Sequence, residues 1–270
     1  MVEPSISSLQ LTPELAIANL QSADLSLRYY AAWWLGKFRV NRPEAVDLLI
    51  AALEDEADKT ELGGYPLRRN AARALGKLGN LQAVPGLIKC LECSDFYVRE
   101  AAAQSLETLG DTTAVPALVK LLDGGVSAAV PVQNRPHLVQ PYEAVLEALG
   151  SLGATDTIPL VQSFLEHPVP RVQCTALRAM YQLTQDPIYG ERLVKMLANV
   201  DLKLRRVILG DLGVIGYLPA AEAIASAQVE TSFKLIALKG LLENQLIAGE
   251  ETVSLSESAI RVMDLMDSLL

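Results

Sequence analysis

The stretches LSLRYYAAWWLGKF, YPLRRNAARALGKL and FYVREAAAQSLETL align without a gap. Each is followed by a turn and an apolar segment such as AVPGLIKCLE or AVPALVKLLD. Repetition constrains a chain more than composition does, because one unit cannot bury its apolar face alone and must stack on its neighbours. The aligned leucine-type position falls at Leu35, Leu75, Leu106, Leu149, Met180, Leu212 and Leu241. Seven copies follow, with a basic period of about 31 residues and two longer intervals. Apolar residues recur every three or four positions in both halves of a copy, which predicts a helical hairpin. Gly36, Gly76, Gly150 and Gly213 follow the leucine-type position and are expected to end helices, while Pro43, Pro85, Pro116, Pro159 and Pro219 suit first helical turns. Residues 255 to 270 read as a closing amphipathic helix that covers the last apolar face.

The expected fold is all-α. It resembles an α-solenoid, a superhelical crescent of about seven short HEAT-like hairpins with a C-terminal capping helix, forming one domain over residues 1–270. In such solenoids the second helix of each pair lines the concave side, a placement that comes from the resemblance. The two longer intervals arise from EADKTELGGYP around 56 to 66 and GGVSAAVPVQNRPHL around 124 to 138, both in front of second helices. Insertions into an array collect on one face, often the binding face; tolerated surface loops are the plain alternative.

Composition excludes several classes of function. With 32 acidic against 23 basic residues and a net charge of -9, the chain repels a phosphate backbone, so no nucleic-acid partner is expected. No apolar run reaches the ~18 residues of a membrane span, so no membrane insertion is expected. The start, MVEPSISSLQ, lacks the basic and apolar parts of an export signal, which favours the cytoplasm and reduced thiols for the three cysteines. Metal is not expected. The two histidines, His137 and His167, each adjoin a proline, and Cys90-x-x-Cys93 has no second pair to complete a zinc site. Cys90 aligns with the core positions Ala52 and Leu121.

Within each second helix, positions three, four and seven after the arginine site are apolar and form the buried stripe. Positions one and five vary and are expected to face the groove. They read Tyr29 and Trp33, Arg69 and Arg73, Glu100 and Gln104, Glu143 and Glu147, Cys174 and Arg178, Arg206 and Gly210, then Leu235 and Lys239. An aromatic patch thus adjoins a basic one, which adjoins an acidic one. Arg28, Arg99 and Arg205 each have an Asp four residues earlier (Asp24, Asp95, Asp201) that suits both a helix cap and an ion pair. Arg68 has Gly64 there, so Arg68, Arg69 and Arg73 are the expected carboxylate-binding forks. Trp34 falls in a small-residue column and is expected in the core, whereas Tyr29, Tyr30 and Trp33 are expected to form a contact surface. Cys174 is expected to be accessible. His137 is either a proton shuttle or a loop residue without a role.

LSLRYYAAWWLGKFRV, the short repeats and the overall length resemble the E-type subunits of heterodimeric phycocyanobilin lyases that act on phycocyanin α subunits, over essentially the whole chain. The resemblance implies a cyanobacterial-type cytoplasmic carbon-sulfur lyase. With a related F-type HEAT-like subunit it would join phycocyanobilin to a cysteine of the phycocyanin α subunit through a thioether. The nucleophile then belongs to the substrate, no catalytic residue is assigned to this chain, and the bilin is a substrate with no further cofactor. Such a reaction needs positioning and control of protonation. Tyr29, Tyr30 and Trp33 are expected to pack on the pigment or to meet the F-type subunit. Arg68, Arg69 and Arg73 are expected to bind its propionates, and Glu100 or Glu143 to accept from pyrrole N–H groups. The alternatives are a lyase that also isomerises the bilin, a bilin-detaching homologue, and a non-catalytic HEAT scaffold. HEAT-like iron hydroxylases are excluded, since two histidines cannot supply their His-Glu pairs.

Overall fold

A computed structural model describes residues 11–247 and 256–270. Among them are sixteen α-helices and no strand beyond one isolated bridge, Pro131 to Leu138. The hairpins are α1 (Pro13–Asn19) with α2 (Leu25–Lys37), α3 (Pro43–Ala52) with α4 (Pro66–Leu78), and α5 (Val84–Cys90) with α6 (Phe96–Leu109). Next, α7 (Val115–Lys120) is separated by the short α8 (Gly125–Ala128) from α9 (Tyr142–Ser151). The last pairs are α10 (Ile158–Ser163) with α11 (Pro170–Thr184), α12 (Pro187–Met196) with α13 (Leu202–Val214), and α14 (Ala221–Ser226) with α15 (Thr231–Ile247). The expected closing helix is α16 (Glu257–Asp267), which buries Ala259, Val262 and Leu265 and packs on α14 and α15. No helix of the described residues is long and apolar enough to cross a membrane.

The chain divides into two compact units. One runs to Asp123 and takes in Pro131–Ala148; the other comprises Gly124–Val130 and the chain from Leu149 onward. In the first unit the second helices α2, α4 and α6 pack side by side, and in the second unit α11, α13 and α15 do the same. All seven leucine-type positions are buried, which is the hydrophobic reason for the repeat.

The glycines after that position do not end helices. Gly36 and Gly76 lie inside α2 and α4, where a Cβ would sit 2.7 Å from the Ala74 Cα and 2.9 Å from the Ser105 Cα respectively. They let neighbouring second helices approach backbone to backbone. The left-handed stop of α4 is instead Gly79, at φ 71°. Small residues recur in Trp34's column because they abut these glycines, as Ala74 does Gly36 and Ser105 does Gly76. Among the described residues no second helix precedes α2, so Trp34 is freed from that limit. It is half-buried and packs on Phe38 at 4.6 Å, not in the core.

The arginine column knits each hairpin together. Asp24, Asp95 and Asp201 cap their helices as expected, each accepting a backbone N–H at 2.8 Å. The guanidiniums go elsewhere. Arg28 donates to the Leu20 carbonyl (3.2 Å) and pairs with Asp55; Arg205 donates to the carbonyls of Leu197 (3.0 Å) and Val200 (2.8 Å). These carbonyls lie beyond the first helix's last turn, where backbone acceptors lack helical donors. On α11 the variable row is not open as expected, although Arg206, Gly210, Leu235 and Lys239 on α13 and α15 are half-buried or exposed. Cys174 is fully buried with its Sγ 4.0 Å from the Met196 Sδ, and Arg178 is buried 3.5 Å from Asp211 on the next helix.

A candidate functional site in the first unit

The 56–66 insertion and the later part of the second one, from Pro131, are held by second helices of the first unit. In residues 56–66, Asp58 accepts the Leu67 N–H and Thr60 closes a turn with Gly64 through Oγ1 (2.8 Å). The Asp95 cap also takes the Tyr65 N–H (2.8 Å), tying that loop to α6. From the second insertion, residues 131–139 fold back through the Pro131 to Leu138 bridge, and Arg99 donates to the Val139 carbonyl at 2.9 Å.

Between these two loops lies a hollow of about 470 Å³, walled by Gly64, Tyr65 and Arg69 on one side, Phe96 and Tyr97 below, and Arg135 and His137 on the other. A second hollow of about 450 Å³ adjoins it, walled by Leu25, Ser26, Tyr29, Asp58, Pro66 and Arg69. Pro66 and Arg69 line both. Volumes in this range suit small ligands.

Arg69 is half-buried and has no ion pair among the described residues; its Nε is shielded and unbonded, and its guanidinium carbon lies 5.9 Å from the Tyr97 ring centre. A guanidinium placed this way is available for a bidentate carboxylate. Arg99 also lines the first hollow but is spent on the carbonyls of Cys93, Ser94 and Val139. Burial holds its pKa below the ordinary guanidinium value. Asp58 is shifted upward, chiefly by burial, against the opposing pull of the Leu67 N–H, while Asp55 nearby adds to the rise. The His137 ring stacks on Phe96 at 4.0 Å and 10° and meets the Tyr97 edge at 5.7 Å, with Nδ1 2.8 Å from the Leu138 carbonyl.

The expected residues separate. Tyr29 and Arg69 meet at the second hollow. Tyr30 and Trp33 wall neither hollow; their rings lie 5.3 Å apart on the exposed face of α2, with the Lys37 ammonium 4.8 Å over the Trp33 ring. Arg68 is not the free fork that its missing Asp suggested. It donates to the Asp55 carbonyl at 2.6 Å, pairs with Glu56 and stacks on Tyr65 at 4.1 Å, so the insertion supplies the partner that Gly64 does not. Arg73 is exposed, 3.9 Å from the half-buried Glu100. Glu143 is half-buried on α9, and neither it nor Glu100 walls the hollows. Asp58, Phe96 and Tyr97 were not singled out in the sequence, and only the length of the insertions pointed towards them. Cys90 is buried as its alignment indicated, its thiol pushed up to about 12. Among the described residues no group of three potential metal ligands gathers.

Comparison with known proteins gives this surface a context. Residues 27–55 match the PBS lyase HEAT-like repeat family and residues 65–130 the HEAT repeat family. The phycocyanobilin lyase subunit alpha of Nostoc sp. PCC 7120 is 76% identical over the full length of both chains. That of Microchaete diplosiphon is 65% identical, covering 97% of this chain and 90% of its own. A solved structure of the complex of CpcE and CpcF of phycocyanin lyase from Nostoc sp. PCC7120 contains a chain that superposes with a TM-score of 0.90 at 76% identity, covering 100% of each. At this identity and coverage, a HEAT-repeat chain with an aromatic first hairpin belongs to the phycocyanobilin lyase alpha-subunit family.

Proposed function

We propose that this chain is one subunit of a cytoplasmic carbon-sulfur lyase that, with an F-type partner, attaches phycocyanobilin to a cysteine of the phycocyanin α subunit. Kinship supports the activity and the partner: the relatives carry the name phycocyanobilin lyase, and the similar solved chain is part of a two-protein complex. The observation that carries the pigment's placement is Arg69, an unpaired guanidinium lining both of two adjoining hollows. An open-chain tetrapyrrole has its two carboxylates on the middle rings and none on the outer ones. Arg69 therefore takes the propionates while the outer rings enter the hollows, one against Tyr29 and the other against Phe96 and Tyr97. Holding a floppy chain in one conformation beside the acceptor thiol supplies rate through orientation. Tyr30 and Trp33, exposed and outside the hollows, are assigned to the F-type subunit instead.

The test compares two neighbouring arginines. Arg69→Ala is expected to weaken bilin binding by about 1.5–3 kcal/mol, roughly ten- to a hundredfold, measured by titration of the pigment's absorbance. Arg68→Ala is expected to lower the melting temperature while the folded protein keeps its bilin affinity. Equal affinity in Arg69→Ala and wild type would remove the propionate assignment. Absence of any covalent product when wild type, F-type partner, bilin and α apoprotein are combined would remove the lyase reading itself.

A further inference from the structure

Thioether formation needs a proton moved as well as two partners held. The acceptor sulfur bonds to the outer carbon of the bilin's ethylidene group, the C=C π pair shifts to the ring carbon, and that carbon takes up a proton. The thiol supplies one proton, so the addition balances without oxidant, reductant or leaving group. A group that accepts the proton from sulfur and returns it to carbon accelerates both halves.

We infer that His137 is that group, an inference that rests on the lyase reading above. A carbonyl oxygen only accepts hydrogen bonds, so the 2.8 Å contact to Leu138 fixes the proton on Nδ1. In the neutral ring Nε2 is then the basic nitrogen, and it has no partner among the described residues. Its orientation is fixed twice, by the parallel stack on Phe96 at 4.0 Å and by the Tyr97 edge. The ring also lines the hollow assigned to one outer ring of the bilin.

The other titratable or charged groups on that hollow are less suited. Asp95 from the α6 cap is occupied by the N–H groups of Tyr65 and Tyr97. Arg69 from α4, Arg99 from α6 and Arg135 from the same loop are guanidiniums, which offer donors and no acceptor, while the Tyr65 ring lies under Arg68 and the Tyr97 ring is set edge-on to His137. An imidazole alone among them presents one ring nitrogen as donor and the other as a basic acceptor.

The experiment uses the complete two-subunit complex preloaded with phycocyanobilin and mixed with excess α apoprotein, following the covalent product in a single turnover across pH. Wild type is expected to show a rising limb in its rate–pH profile, as general-base catalysis requires. With rates normalised to the bilin each complex holds, His137→Ala is expected to attach it roughly a hundredfold more slowly at pH 7 and to lose that limb. Added imidazole, which fits the space left over Phe96, is expected to restore the rate. His137→Phe keeps the stack without a basic nitrogen and is expected to remain slow. Wild-type rates and an unchanged limb in either variant would overturn the proposal, as would a rate loss matched by lost bilin affinity and unmoved by imidazole. Failure of the wild-type complex to attach pigment would instead overturn the lyase reading on which it stands.

Discussion

At the residue scale, the same side chain does different work according to what its neighbours leave unpaired. Arg28, Arg68, Arg99 and Arg205 occupy one column, and each reaches backbone carbonyls near the preceding helix. Arg69, one position on, has no such acceptor and faces two hollows. Cysteines divide in the same way. Cys90 and Cys174 are buried and Cys93 is half-buried, so iodoacetamide at pH 8 is expected to modify Cys93 first in the native protein and all three after unfolding, as read by mass spectrometry. Burial raises the Cys90 thiol from an ordinary 9.0 to about 12. Above pH 9 the unfolded chain therefore loses a proton that the folded chain keeps, and stability falls as pH climbs from 9 towards 12. Cys90→Ala is expected to flatten that part of the stability curve in urea titrations. The burial of Cys90 was legible because it shares a column with Ala52 and Leu121. The engagement of Arg68 was not, because its partners, Glu56 and the Asp55 carbonyl, come from an inserted loop that the repeat does not describe.

At the scale of the element, helices were legible and their contacts only partly so. A period of three and four marks a buried stripe whatever lies opposite, so the seven hairpins and the closing helix follow from pattern alone. The role of Gly36 and Gly76 does not, since a glycine near a helix end has the same letter whether it stops that helix or admits a neighbour. In α4 the two jobs fall to residues three apart, Gly76 inside the helix and Gly79 beyond it. Gly76→Ala would place a Cβ 2.5 Å from the Ser105 Oγ and 2.9 Å from its Cα. Overpacking of this kind is expected to cost about 1–3 kcal/mol despite alanine's better helix propensity, and to appear as a lower melting temperature. A stabilised Gly76→Ala protein would show that α4 and α6 separate freely.

At the scale of the whole molecule, the aromatic residues of the first hairpin, one patch in the sequence, fall on two surfaces. Tyr29 and Trp33 are exposed to a similar degree, 38% and 39%, but Tyr29 lines a hollow whereas Tyr30 and Trp33 line neither. Trp33→Ser is expected to weaken assembly with the proposed F-type partner by about 2 kcal/mol or more in calorimetric titrations, while bilin titrations of the isolated chain stay near wild type. The reverse pattern would return Trp33 to the pigment. Candidate site residues on second helices were legible as a row of variable positions, yet most of the first hollow's rim comes from two loops. Those loops hang on the stack through a few caps and carbonyl contacts, such as Asp95 with Tyr65 and Arg99 with Val139. On the proposed pigment site, chromophore preference and structural robustness are thereby written in separate stretches of chain: evolution, or an engineer, is free to lengthen, shorten or exchange a rim and so retune which chromophore is accepted, without reopening the interior that keeps the protein folded.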